Sequence, residues 1–364
     1  QGLFDVSAVF STTESASSQG GKLTLVGHQL TNMGQLLAHG DKGGEIILAA
    51  LGSGNDPNDT TGEASTLLNY GLIEANGTLL GGTIQLFGDA ILSSGTIQAT
   101  AYQPLSGASS GKGGSITLSA TTKLDQSGTV SVDGDQGGSI FLAATGDLIN
   151  QGALSAKGLH GAGGTVNLQA ATLSNQGGLV ADGLSGGSIH LWSSQTTENA
   201  GTISAISVTG SASSLSSSPN ASGQPATPQG GVITLFGTNQ LTVGGQIDAS
   251  SGEGVGGTIA LSSPDTRITN AQVNASGALM GGTILITAPT SQTPTASSTN
   301  VDPGAPAPTP KAPMLAISGN TVIRSGSSRG YGGAIALTSD QINLSDTVQL
   351  IATGDLAGGL VLVG

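Results

Sequence analysis

The chain has 364 residues, no cysteine, a net charge of −13, and only 2% aromatic and 9% charged residues. The absence of cysteine excludes a disulfide framework and thiolate metal sites. The nine basic residues of the chain are too scattered to form a nucleic-acid-binding patch. Every apolar run is shorter than the about 18 residues that cross a bilayer as a helix.

A pair of glycines precedes a short alternation of apolar and polar residues about twelve times along the chain. Two examples are GGSITLSA from Gly113 and GGSIHLWSS from Gly186. Seven of the eleven spacings between successive pairs lie between 23 and 26 residues. A repeat of this length predicts one continuous architecture rather than several globular domains. The pairs begin at Gly20, Gly43, Gly81, Gly113, Gly137, Gly163, Gly186, Gly230, Gly256, Gly281, Gly332 and Gly358.

The residues after each glycine pair predict a strand. Apolar side chains alternate there with period two, as in Ile116 and Leu118 or Ile140 and Leu142. The first apolar position is mostly β-branched, which suits a pleated surface with one buried side. We expect both aliphatic positions to point into a core and the residues between them to point outward.

A second signature, L-x-N-x-G-x-L-x-A-x-G, lies between the glycine pairs, as in LINQGALSAKG from Leu148. It predicts further short strands separated by an Asn-x-Gly turn. We expect the asparagines to stack as an amide ladder at one corner. We expect the paired glycines to supply a left-handed backbone at another corner and to let neighbouring turns approach closely. The ladder asparagines are Asn32, Asn69, Asn150, Asn175 and Asn199.

Units too small to bury their own apolar face must stack on one another. The sequence therefore predicts an all-β fold, a right-handed parallel β-helix (solenoid) of about 12 rungs with about 25 residues per rung. At about 4.8 Å between neighbouring strands, the rod is roughly 55–60 Å long.

The predicted organisation is one β-helix domain over residues 20–364, preceded by an N-terminal strand over 1–19. The longer spacings contain loop insertions rich in Ser and Pro near 52–64, 211–229 and 289–313. The chain begins at Gln1 without a visible signal peptide, so we expect a processed chain or an excised piece.

The alternation of GGSIxLxA with LxNxGxLxAxG at about 25 residues resembles the β-helix repeats of filamentous haemagglutinin-type exoproteins, the passengers of two-partner secretion. The resemblance covers nearly the whole chain apart from the insertions and the first about 19 residues. It implies an extracellular rod that is exported through an outer-membrane partner and often acts in adhesion. Members of that family carry an N-terminal secretion domain with Asn-Pro motifs. No such motif is found here, so we expect that domain to have been removed or to lie outside this sequence.

Residues capable of chemistry are few and scattered. His39 and His160 are about four rungs apart, or ~19 Å, too far to share a metal ion. Asp133 and Asp135, in DGDQGG, are interpreted as turn residues in solvent rather than a calcium site. We therefore predict no enzyme activity, no metal and no cofactor.

Two sets of residues are candidates for interactions. Phe87, Trp192 and Phe236 are predicted to point outward, where they would stack on sugars, contact a neighbouring molecule, or be covered by an insertion loop. Strand-like segments at the two ends are predicted to cap the coil or to mediate self-association by strand addition. These self-association candidates are Phe4, Val6, Ala8, Phe10, Leu360, Val361, Leu362 and Val363.

The function that these features favour is an extracellular, cell-surface structural rod, either adhesin-like or a filament-forming subunit. Its expected partners are further copies of the chain joined end to end, or glycans and proteins of a cell surface, with no nucleic acid and no transmembrane segment. The alternative is a polysaccharide-binding or polysaccharide-degrading β-helix protein.

Overall fold

The computed structural model describes residues 3–5, 18–52, 64–101, 111–208, 227–289 and 312–364. Within these ranges the chain contains strands, turns and irregular segments but no helix. Each turn of the chain crosses three faces in the same order, and each strand pairs in parallel with the corresponding strands of the turns before and after it. The protein is an all-β parallel β-helix, as predicted.

The strands, numbered in chain order, divide among the three faces. Face 1, which follows the glycine pairs, contains β2 (Lys22–Gly27), β6 (Glu45–Ala50), β10 (Thr83–Ser93), β12 (Ser115–Gln126), β14 (Ser139–Ala144), β17 (Thr165–Asn175), β19 (Ser188–Asn199), β21 (Val232–Gly237), β24 (Thr258–Ser262), β27 (Thr283–Ala288), β30 (Ala334–Ser339) and β33 (Leu360–Val363). Face 2 contains the second halves of β10, β12, β17 and β19, together with β3 (Gln29–Asn32), β7 (Thr66–Asn69), β15 (Asp147–Asn150), β22 (Gln240–Val243), β25 (Asp265–Thr269), β28 (Met314–Ser318) and β31 (Gln341–Leu344).

Within the described ranges, face 3 is a sheet of twelve strands. It contains β1 (Leu3–Asp5), β4 (Gln35–Leu37), β8 (Leu72–Glu74), β11 (Thr96–Gln98), β13 (Thr129–Ser131), β16 (Ala153–Ser155), β18 (Gly178–Val180), β20 (Thr202–Ser204), β23 (Gln246–Asp248), β26 (Gln272–Asn274), β29 (Val322–Arg324) and β32 (Gln349–Ile351). Two further strands, β5 (Gly40–Lys42) and β9 (Gly77–Leu80), pair with each other at the corner between faces 3 and 1.

The predicted aliphatic columns are in register through the whole stack. Ile116 lies opposite Ile140, and Ile140 lies opposite Val166. All three side chains are fully buried. The second column, represented by Leu118 and Leu142, is buried in the same way. One hydrophobic core therefore runs along the inside of the coil, and it gains its stability from burial of each turn against its neighbours.

The paired glycines are required for close approach and not for a left-handed backbone. Among the described residues, only Gly245 and Gly319 have positive φ for glycine, at 67° and 66°. The expectation of positive φ at the glycine pairs is therefore wrong. A Cβ on Gly137 would instead collide with the carbonyl oxygen of Ala156 and the backbone nitrogen of Gly164. At this corner the chain runs against its own backbone, which leaves no room for a side chain.

The amide ladder is present at the corner between faces 2 and 3. The side-chain amide of Asn32 donates to the Oδ1 of Asn69 at 2.8 Å. The amide of Asn150 donates to Asn175 at 2.8 Å, and that of Asn175 donates to Asn199 at 2.7 Å. Four of these five asparagines are fully buried, so the bonds between amides replace hydrogen bonds to water where water cannot reach.

The ladder is interrupted at Gln126, which occupies the same column between Ser93 and Asn150. Gln126 is buried, and neither Nε2 nor Oε1 has a hydrogen-bond partner. The Oδ1 of Asn150 is also without a partner. The extra methylene of glutamine displaces its amide from the position that asparagine occupies in the other rungs.

Gln126→Asn is expected to stabilise the protein by about 1 kcal/mol, because the shorter side chain would place its amide where it donates to the Oδ1 of Asn150, which removes buried unpaired groups. Urea titration followed by circular dichroism measures the change. Gln126→Leu is the control, since it removes the unpaired amide but leaves Asn150 without a donor. A free energy of unfolding for Gln126→Asn at or below that of the wild type would contradict the account.

The ends and insertions are only partly described. Strand β1 pairs with β4 of the same chain, with Phe4 opposite Leu36. The predicted N-terminal segment 1–19 otherwise lies mostly outside the described residues. So do nearly all residues of the three predicted insertions, since 53–63, 209–226 and 290–311 are not described. The right-handed winding stays a prediction.

Candidate interaction surfaces

The outward column of face 1 brings two of the three candidate aromatic residues together. Trp192 on β19 lies opposite Phe236 on β21. Their ring centroids are 6.4 Å apart and their planes differ by 7°, so the rings form an offset parallel stack. Trp192 remains 42% exposed. Each ring of the pair is partly covered by the other, and the rest of the Trp192 side chain is available to a ligand or a partner.

Phe87 lies in the same outward column but does not join this pair. Its column continues through Ser119, Ala143 and Gln169 before it reaches Trp192. Four strand spacings of about 4.8 Å place Phe87 about 19 Å from Trp192. The three aromatic residues are therefore one stacked pair and one separate ring.

His190 occupies the central outward column of face 1, between Asn167 and Thr234 on the neighbouring strands. Burial lowers the pKa of His190 below its usual range, because the partly desolvated imidazole cannot be hydrated well as a cation. The shift favours the neutral form of the ring.

The C-terminal strand exposes its aliphatic residues. β33 pairs with β30, with Val361 opposite Ile335 and Val363 opposite Leu337. Ile335 and Leu337 are fully buried, whereas Val361 and Val363 continue the same core columns and remain exposed, as do Leu360 and Leu362. At the other end, Phe4 lies in β1, while Val6, Ala8 and Phe10 lie outside the described residues.

The carboxylates at the corners bind backbone and hydroxyl donors of neighbouring rungs. Asp133 accepts hydrogen bonds from the Ser155 hydroxyl and the Lys157 N–H, both at 2.6 Å. Asp135 is buried, accepts a hydrogen bond from Gly111 at 2.7 Å, and lies 2.8 Å from His160. The interpretation of Asp135 as a turn residue in solvent is therefore wrong.

Two corner carboxylates have lowered pKa values. The pKa of Asp41 is lowered mainly by a hydrogen bond from the Ser18 N–H. The pKa of Asp89 is lowered mainly by a hydrogen bond from the Thr121 hydroxyl, followed by those from Ser65. These bonds favour the ionised form. Their stabilising effect is present above the unfolded-state pKa and is lost as the pH falls through the folded-state value.

Within the described ranges, no three side chains of His, Asp or Glu lie close enough together to hold a metal ion. The same ranges contain no helix that would cross a bilayer.

One surface feature was missed by the sequence analysis. A groove of about 340 Å³ lies at the corner after face 3 and is lined mainly by Ser and Thr side chains together with Arg324 and Asn274. Its residues come from four successive rungs, and the insertion near 289–313 lies between the second and the third of them.

No protein-family model matches the sequence, and no curated protein matches it. Among solved structures, the crystal structure of the HMW1 secretion domain from Haemophilus influenzae is similar over 96% of this chain and 97% of that chain, with 15% sequence identity and a TM-score of 0.45. A likeness at this level assigns neither a family nor a function to the chain.

Proposed function

We propose that the chain is an extracellular structural rod without catalytic activity, which acts in adhesion or in building fibres. The observation that carries this proposal is the uninterrupted core, in which all twelve glycine-pair strands are in register. The repeated residues have structural roles: the aliphatic columns fill the core, the glycines allow close packing, and the asparagines satisfy one another. A repeat used in this way determines the length and stiffness of the molecule.

The location outside the cell is supported by the resemblance of the repeat to filamentous haemagglutinin-type exoproteins. The absence of cysteine is compatible with export, because a chain without thiols cannot form wrong disulfides.

The exposed edge of β33 supports elongation of the rod. Its free backbone edge can pair with a further parallel strand. The side chains of Val361 and Val363, which continue the core columns, are exposed and would be buried by that strand. The added strand belongs either to a continuation of the same chain or to another copy. In the second case the contact is heterologous and does not close, so copies add end to end.

Negative-stain electron microscopy of residues 1–364 tests this function. We expect straight rods whose lengths are multiples of about 55 Å. The double variant Val361→Lys and Val363→Lys should leave single rods, because it places charges at the stacking end. Leu362→Lys is the matched control, since this side chain points outward from the same strand. Single rods for the wild type would exclude end-to-end stacking, and compact particles would exclude the rod.

The alternative function as a polysaccharide-degrading enzyme has a separate test. Incubation with neutral and acidic polysaccharides should release no reducing or unsaturated sugar ends. Release that follows the purified protein through chromatography would contradict the non-catalytic part of the proposal.

A further inference from the structure

On face 1, nine consecutive strands from β10 to β30 present no charged side chain, and the charged residues of β10, β12 and β19 lie beyond this face, at the next corner or on face 2. Each strand contributes three outward residues, and none of these is Asp, Glu, Lys or Arg. We call these 27 positions the uncharged face. They are Thr83, Gln85, Phe87, Ser115, Thr117, Ser119, Ser139, Phe141, Ala143, Thr165, Asn167, Gln169, Ser188, His190, Trp192, Val232, Thr234, Phe236, Thr258, Ala260, Ser262, Thr283, Leu285, Thr287, Ala334, Ala336 and Thr338.

The lack of charged side chains on face 1 contrasts with the rest of the molecule. The chain has a net charge of −13, and the outward positions of the other two faces hold acidic residues. Asp125, Asp147 and Glu198 lie on face 2 together with Lys123 and Arg267, and Glu74 and Asp248 lie on face 3 together with Arg324. When two copies meet at those faces, these charges must be desolvated or paired, whereas the uncharged faces meet without that penalty.

The uncharged face has the size of one side of a stable protein interface. Nine strands at about 4.8 Å measure about 43 Å, and five residues at about 3.3 Å measure about 17 Å. The product is about 700 Å², so two copies would bury about 1,400 Å² in total, within the range of specific interfaces.

The composition of the uncharged face is also typical of a protein interface. Trp192, the only tryptophan of the chain, lies on β19, the fifth of the nine strands. Trp192 stacks with Phe236 at this centre, and Val232 and Leu285 are about 40% exposed. Interface energy concentrates in aromatic residues near the middle of a contact. The surrounding Ser and Thr hydroxyls can exchange hydrogen bonds with the same groups of a second copy.

We propose that the uncharged face is the interface between two copies of this chain, which pack side by side about a two-fold axis near Trp192. An isologous contact places the same patch of each copy against the other, and an axis at the centre brings the two Trp192 side chains together. Two sheets packed in this way lie about 10 Å apart. This lateral contact is independent of the end-to-end elongation proposed above, because it uses a different surface.

Sedimentation velocity and Trp192 fluorescence test the lateral contact. We expect the wild type to form a dimer in the micromolar range, with a blue shift of the emission as the concentration rises, because only this contact buries Trp192. The dimer should tighten with added salt, which screens the repulsion between the acidic copies.

Thr234→Glu, beside the Trp192–Phe236 pair, is expected to weaken the dimer at least tenfold because it places like charges within the contact. Thr202→Glu is the matched control: it introduces the same charge on β20 of face 3, where the side chain is exposed, and should leave dimerisation unchanged. Trp192→Ala should also weaken the dimer.

The lateral contact is overturned by a wild type that is monomeric at 100 µM in low and high salt, or by equal effects of Thr234→Glu and Thr202→Glu. It is also overturned if a soluble neutral polysaccharide shifts the Trp192 emission while added protein does not, because that result assigns the face to a glycan. The rod length in micrographs reports separately on the proposed function, since side-by-side pairing doubles the width and leaves the length unchanged.

Discussion

Replacement of Ile140 by aspartate is expected to lower the free energy of unfolding by about 3–5 kcal/mol, because it buries an unpaired carboxylate. Ile140 is fully buried on β14 and lies between Ile116 and Val166 in the central core column. Neither neighbour offers a hydrogen bond or an opposite charge. Leu142→Asp should have an effect of the same size for the same reason.

Ala143→Asp is the matched control on the same strand. Ala143 points outward from face 1 and is half-buried, so a carboxylate there reaches water. We expect a change within about 1 kcal/mol. Urea titrations of the variants, followed by circular dichroism, measure both effects. Equal loss of stability in Ile140→Asp and Ala143→Asp would mean that inward and outward positions are assigned incorrectly.

The second large effect concerns the glycine pairs. Gly137→Ala is expected to destabilise the protein by at least about 3 kcal/mol, because its Cβ would overlap the backbone of Ala156 and Gly164. The neighbouring atoms belong to the backbone of the next turn of the coil, where the Gly164 N–H donates to the Ala156 carbonyl at 2.7 Å, so relief requires the coil itself to open at this corner.

Gly178→Ala is the control for backbone flexibility. In β18 an added Cβ meets only the Thr202 hydroxyl, at the ordinary contact distance of 3.5 Å. This variant should be neutral or slightly more stable, since alanine restricts the unfolded chain. Thermal unfolding of both variants checks the comparison. If Gly137→Ala were as stable as Gly178→Ala, close approach would not be the reason for the glycine pairs.

The core could be predicted from the sequence because each column repeats an aliphatic residue at a fixed distance from a glycine pair. Once the rungs are stacked in that register, neighbours such as Trp192 and Phe236 follow directly. The asparagine ladder was predictable for the same reason. Local alternation and a constant period were sufficient for these features, and neither depends on the insertions.

Other features depend on contacts between rungs that spacing does not encode. The glycine pairs have the close approach that was expected but not the left-handed backbone. Asp135 is buried because Gly111 and His160 meet it from other rungs. Gln126 fits the polar pattern of its column, and only the position of its amide in the structure shows that Nε2 and Oε1 have no hydrogen-bond partner. These cases require side-chain geometry rather than periodicity.

The most direct test of the stacked coil is a set of distances between spin labels, which the cysteine-free chain allows at chosen sites. Thr129, Gln246, Gln272 and Gln349 are exposed on face 3 in one outward column. From Thr129 these sites lie four, five and seven rungs away, so the account predicts backbone separations of about 19, 24 and 34 Å. Separations that do not grow by about 4.8 Å per rung, for example Thr129 and Gln349 lying within about 20 Å of each other, would contradict it.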